Sequence, residues 1–167
     1  MLKFLAPLIV VADMARSRSF YEGLLGQKVK FDFGENVVLE GDFSIHLKPH
    51  FQSLLGTEAH YPVTHKTHWG EMYFETDDLD PIYQRLTEAG VEFIHPVCEQ
   101  PWGQRVMRLY DPDGHIVEIG ETMEAVVWRF HTQGLSSERI TERSAMPREF
   151  IEQVIQAHAE TGQTSDG

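Results

Sequence analysis

Three stretches with strand-like composition each carry ionisable residues out of step with their apolar neighbours. Side chains alternate faces along a strand. In Phe43–Leu47, Phe43, Ile45 and Leu47 share one face and His46 takes the other. In Glu71–Thr76, Met72 and Phe74 share one face, with Glu71 and Tyr73 opposite. In His115–Gly120, Val117 and Ile119 oppose Glu118. One imidazole and two carboxylates make a mixed nitrogen and oxygen donor set. Such a set suits Mn, Fe(II), Ni, Zn or Mg better than thiophilic metals. Without a cation, two neighbouring carboxylates would repel and one would tend to hold a proton. On alternation alone, solvated side chains on an open sheet face are the better reading.

A second constellation is Gln100-Pro101-Trp102-Gly103-Gln104-Arg105. Trp102 offers a wide stacking face, and Arg105 a planar cationic fork for a carboxylate or phosphate. Tyr73 is a candidate for the same cavity. The same residues also suit a buried tryptophan beside an arginine ion-paired at a strand start.

These residues need a scaffold. Phe4 to Val11 is an apolar run, read as a buried first strand although Lys3 and the residues after it resemble a short signal peptide. Asp13 offers an N-cap for a helix over Met14–Leu25, closed by Gly26. Strands follow at Lys28–Phe33, Val37–Glu40 and Phe43–Lys48. Residues 49–68 hold His50, His60, His65 and His68 and read as a connecting segment with one short helical turn. A solvated linker explains these histidines more simply than a metal site does.

The order then recurs. Glu71–Thr76 is a strand, and Pro81 suits the first turn of a helix that Gly90 ends. Strands follow at Val91–Ile94, Arg105–Tyr110 and His115–Gly120. Asp111-Pro112-Asp113-Gly114 joins the last two as a tight turn, with proline at its second position and glycine at its fourth. Such duplication points to two β-α-β-β-β units.

Beyond Glu121 the pattern is helical, at Met123–His131, Ser136–Arg143 and Pro147–Ala159. Leu135, Ile140, Met146, Phe150, Ile151 and Val154 are the apolar points of a helix-turn-helix rhythm. Between Gly134 and Glu160, three arginines face five glutamates, which favours a packing appendage over a DNA reader. The net charge of −12 over 167 residues argues against nucleic-acid and anionic-membrane surfaces. No apolar run reaches the roughly 18 residues of a membrane span. Cys98 is the only cysteine, so no intrachain disulfide forms.

A strand, DPDG, a second strand and Glu118 four residues after Gly114 resemble the end of a vicinal oxygen chelate module. That superfamily includes glyoxalase I, extradiol dioxygenases, and fosfomycin- and bleomycin-resistance proteins. The resemblance spans about residues 4–121. It implies an α+β fold of paired βαβββ modules forming a curved mixed sheet around a cavity. The modules fall at 1–48 and 69–121 with a linker at 49–68, then a helical extension at 122–160 and a disordered tail at 161–167.

Motif by motif, His46, Glu71 and Glu118 fall on family metal-ligand positions, while the fourth position falls on Ala6. One divalent ion is therefore implied, with Glu71 or Glu118 as catalytic base in a metal-dependent lyase or isomerase. The PWGxR segment is similar to bleomycin-resistance-type members, which bind ligand without metal, and makes Tyr73, Trp102 and Arg105 the substrate contacts. The expected protein is a cytoplasmic homodimer that takes a small, oxygen-rich or anionic ligand.

Overall fold

The computed structural model describes residues 2–3, 5–56, 63–64 and 66–163. The first module runs β1 (Leu8–Val11), α1 (Met14–Arg18), a π-helical turn (Ser19–Leu24), β2 (Val29–Asp32), β3 (Asn36–Leu39) and β4 (Phe43–Leu47). Helix α2 (Lys48–Leu55) follows. The second module runs β5 (Glu71–Thr76), α3 (Leu79–Glu88), β6 (Phe93–Glu99), β7 (Arg105–Tyr110) and β8 (Ile116–Glu121). Helices α4 (Met123–Thr132), α5 (Ser137–Ser144) and α6 (Arg148–Gln163) complete the chain. The strand orders are β1-β4-β3-β2 and β5-β8-β7-β6. The same permutation appears twice, so the sequence repeat is a repeat of topology within an α+β fold.

Several boundaries differ from the sequence reading. Strand β1 begins at Leu8, and only Val11 in it is fully buried. The helix expected over Met14–Leu25 starts on its Asp13 cap, which accepts from the Arg16 amide at 2.9 Å. It then widens into the π-helical turn, where Leu25 N–H reaches the Phe20 carbonyl. Wider winding brings consecutive side chains closer in angle, so Phe20 and Tyr21 are both buried. The segment read as a linker opens inside an eight-residue helix that begins one residue earlier, at Lys48, with Pro49 in its first turn. His60 and His65 lie outside the described residues.

Residues 1–72, 85–92 and 110–117 form one compact unit. Its first sheet has β4 at the centre, parallel to β1 and antiparallel to β3. The DPDG turn belongs to this unit and closes as expected, with Gly114 N–H donating to the Asp111 carbonyl at 3.0 Å. Its two carboxylates do more than turn the chain. Asp113, 3% exposed, accepts from the Ala12 amide, from Arg16 at 2.9 Å and from the Ser17 hydroxyl. Asp111 accepts from the Tyr21 hydroxyl at 3.0 Å, the Asp113 and His115 amides, and His115 Nδ1 at 2.9 Å. The motif therefore staples the turn to α1.

This staple predicts a pH dependence. Burial opposes the Asp111 charge, but the bonds from His115 and Tyr21 outweigh it and hold the carboxyl below its ordinary value. Burial likewise opposes the His115 charge, but Asp111 and Asp113 raise the imidazole above its ordinary value. The raised histidine stabilises fully below its unfolded pKa, and that contribution is lost as pH rises through the folded one. The depressed aspartate stabilises above its unfolded pKa, and that contribution is lost as pH falls through the folded one. His115→Asn should therefore cost most in stability near pH 5 to 6 and less on either side. A melting-temperature difference independent of pH between 4 and 9 would contradict the assignment.

Residues 73–84, 93–109 and 118–167 form the second compact unit. Strands β6 and β7 pair antiparallel, Glu99 opposite Arg105, with the loop 100–104 between them. The three C-terminal helices build their own core from Val126, Val127, Phe130, Ile140, Ile151 and Val154. Leu135, Met146 and Phe150 pack against it, so the apolar rhythm of the sequence marks these contacts. Thr122 caps α4 and Ser136 caps α5 through their hydroxyls. Helix α6 continues to Gln163, and residues 164–167 of the expected tail lie outside the described residues. No helix among the described residues is long and apolar enough to cross a membrane.

Candidate functional site

In the first unit, His46 lies in the central strand beside Val10 and Asn36 and is 5% exposed. Its Nε2 meets His50 Nδ1 at 2.8 Å, and Phe51 stands edge-on to its ring. Glu35 approaches His50 at 3.9 Å. Burial first, then the nearby His50, lowers the His46 pKa, which keeps the ring neutral. His46 Nδ1 and Asn36 Oδ1 are both buried with no hydrogen-bond partner among the described residues. Glu71 opens β5, is exposed, and lines a cavity of about 230 Å³ with His68, Met72 and His115.

In the second unit, Glu118 is 6% exposed, and its carboxylate is paired with the Arg108 guanidinium. Strand alternation marked Glu118 as facing away from Val117 and Ile119; Arg108 supplies the charge that makes its burial affordable. A divalent ion would supply compensation of the same kind. Among the described residues, no group of three or more His, Cys, Asp or Glu side chains is gathered to hold a metal ion.

Another set in the second unit is assembled. Tyr73 donates to Glu75 Oε1 at 2.7 Å and accepts from Gln104 Nε2 at 2.8 Å. Trp102 Nε1 donates to Gln104 Oε1 at 3.0 Å. Gln104, 5% exposed, also donates to the Glu121 carbonyl. Both amide ends are thus used, and a buried Gln104 fixes two aromatic rings. Those rings remain open, Tyr73 at 49% and Trp102 at 42% exposed. Burial, then the bond to Glu75, raises the Tyr73 pKa, so the phenol stays neutral. The result is an aromatic wall with fixed polar edges.

Arg105, read from sequence either as a cationic fork for ligand or as an ion-paired residue at a strand start, is ion-paired. Its Nε donates to Glu121 Oε1 at 2.7 Å and its Nη1 to Asp80 at 3.2 Å. Glu121 also takes Arg129 Nη2 at 2.9 Å and the Arg105 amide at 3.0 Å. A cavity of about 810 Å³ borders this hub, with Arg105, Glu121, Trp128, Arg129 and His158 among its lining.

Sequence reasoning missed Gln104, Arg108, Glu121 and Arg129. One signal was available. Glu121 falls in step with Val117 and Ile119, so it had to be a carboxylate on the core face, and such a group needs cationic partners.

The glyoxalase-like domain model matches residues 4–124. No curated protein matches the chain. A protein of unknown function from Agrobacterium tumefaciens is 38% identical, with a TM-score of 0.65 over 73% of this chain and 95% of that one. A glyoxalase/bleomycin resistance protein/dioxygenase superfamily member from Sphaerobacter thermophilus is 26% identical, with a TM-score of 0.53 over 72% of this chain and 98% of that one. A glyoxalase-related enzyme from Fulvimarina pelagi shares the fold at 23% identity and a TM-score of 0.61, over 73% of this chain and 90% of that one. A domain match across most of the chain, on a twice-repeated βαβββ topology, means that this protein belongs to the glyoxalase-like domain family.

Proposed function

We propose that this protein binds a small molecule with a planar or aromatic face on the Tyr73–Trp102 wall, without a resident metal. The observation that carries this reading is the Tyr73–Gln104–Trp102 network, in which a buried amide holds two half-exposed rings. Preorganised rings lose little freedom on binding. The Arg108–Glu118 pair supports the metal-free form of the reading.

A second reading keeps the metal-dependent lyase or isomerase, with His46, Glu71 and Glu118 as ligands. What favours it is the family and the buried His46 Nδ1, which has no hydrogen-bond partner among the described residues.

The two readings part in EDTA. On the first, planar aromatic compounds raise the melting temperature of chelated protein, and Trp102→Ala weakens them about 10-fold, the loss of one stacking contact of about 1.4 kcal/mol. Glu118→Gln then lowers the apo melting temperature, because the Arg108 guanidinium loses the Glu118 charge. On the second, the untagged protein carries stoichiometric metal, and Glu118→Gln raises apo stability by relieving carboxylate repulsion. Stoichiometric metal that Glu118→Gln abolishes would overturn the first reading.

A further inference from the structure

We infer that the C-terminal helices clamp the 100–104 loop and so hold Trp102 and Gln104 in place against Tyr73. Arg129 is the positioning residue. The ligand consequence rests on the aromatic wall proposed above; the clamp itself does not.

The loop is gripped at its base from α4 and α5. Arg129 Nη2 donates to the Gly103 carbonyl at 2.5 Å and to Glu121 Oε2 at 2.9 Å, while its Nε reaches Glu121 Oε1 at 3.2 Å. Its Nη1 reaches Glu99 Oε2 at 3.3 Å, where β6 ends and the loop begins. Arg143 of α5 pairs with the other Glu99 oxygen. The two guanidinium groups flank the buried Phe130 ring, their carbons 4.8 and 4.4 Å from its centroid. Phe130 in turn lies directly under Gly103, whose φ is +87°. Within the loop, backbone bonds tie Gln100 to Gly103 and Gln104, and the Trp102 indole donates to Gln104.

A five-residue loop carrying an exposed tryptophan has little local reason to be still. Here one arginine spans its entry at Glu99, its Gly103 carbonyl and the Glu121 hub that also receives Gln104. A fork with several fixed donors suits that task, and a lysine could satisfy only part of it. The clamp is also an addition to the family domain: the family match ends at residue 124, within α4. The extension thus influences a wall it does not itself line, which makes it a determinant of ligand fit.

The test uses full-length protein labelled with 5-fluorotryptophan, which gives one fluorine resonance each for Trp69, Trp102 and Trp128. Hydrogen exchange at residues 100–104 is measured in parallel. The expected result for Arg129→Met is a broadened or split Trp102 resonance and at least tenfold faster exchange in the loop, with the helix core still protected. Arg129→Lys should recover part of this. Arg143→Met, at a more exposed grip point, should give a smaller change of the same kind and covers the case in which Arg129→Met fails to fold. Arg148→Met, whose partners Glu138 and Glu152 lie in α5 and α6, should leave the loop unchanged. A sharp Trp102 resonance and unchanged loop exchange in folded Arg129→Met or Arg143→Met would overturn the clamp.

The ligand arm uses 8-anilinonaphthalene-1-sulfonate as a planar aromatic probe. Its dissociation constant should rise about tenfold in both Trp102→Ala and Arg129→Met. If Trp102→Ala binds it like wild type, the aromatic wall fails as a ligand site, and the resonance and exchange data still decide the clamp.

Discussion

Glu121→Gln is expected to lower stability at neutral pH by about 3 kcal/mol, a fall in melting temperature on the order of 8 °C for a chain of this size. Glu121 is 2% exposed and carries two guanidinium partners, Arg105 and Arg129, whose side chains are 29% and 19% exposed. Removing the charge leaves two partly buried cations facing each other across a neutral amide. Their remaining contact with water keeps the cost at the lower end of the range for broken buried pairs. Burial opposes ionisation of Glu121, but bonds from Arg129 and Arg105 outweigh it and hold its carboxyl below the ordinary value. A depressed folded pKa stabilises above the unfolded value and loses that contribution as pH falls through the folded one. The gap between wild type and Glu121→Gln should therefore be widest near neutrality and close in acid. Denaturant melts at pH 7 and pH 3 would show it. A variant as stable as wild type at pH 7 would remove Glu121 from the centre of the second unit.

Side-chain periodicity and turn chemistry made most of the fold legible. Both βαβββ modules follow from alternating apolar faces, the Asp13 cap and the DPDG turn. The C-terminal helices follow from apolar residues that bury in one cluster. The π-helical turn was not legible, because its cause is tertiary: two adjacent aromatic rings that both need burial. Helix α2 was hidden by its polar composition and by Pro49, which is tolerated in a first turn.

The site was legible in part. Trp102 was readable as a stacking face or a buried ring and Tyr73 as a candidate for the same cavity; the structure leaves both rings half exposed and places Gln104 between them. An ion-paired Arg105 at a strand start was one of two readings the sequence left open, and its partners Glu121 and Asp80 decide for it; the pairing of Glu118 was not legible, since it depends on which cation arrives from another strand. Arg108 lies only ten residues from Glu118 in sequence, yet nothing in the spacing says that its guanidinium turns towards that carboxylate. Arg129 was further from reach, because it comes from the extension rather than from a repeat.

Gly103→Ala should be far costlier than Gly134→Ala, although the two backbones are almost the same. Their φ angles are +87° and +85°. Both substitutions place a Cβ in the left-handed region, at a cost of roughly 1 kcal/mol. At Gly134, just past α4, the new methyl meets nothing within 4 Å, so the cost should end there. At Gly103 it would stand 2.3 Å from Phe130 Cζ and 2.6 Å from Cε2. Phe130 cannot yield cheaply: it is fully buried in the core of the three helices and flanked by Arg129 and Arg143. Overpacking of that kind adds a further 1–3 kcal/mol or so. The loop must lift, and as it lifts the Arg129 bond to the Gly103 carbonyl breaks. Gly103→Ala should thus cost about 3 kcal/mol and broaden the Trp102 fluorine resonance, while Gly134→Ala should cost about 1 kcal/mol and leave that resonance sharp. Equal melting temperatures for the two variants would show that the loop does not rest on Phe130.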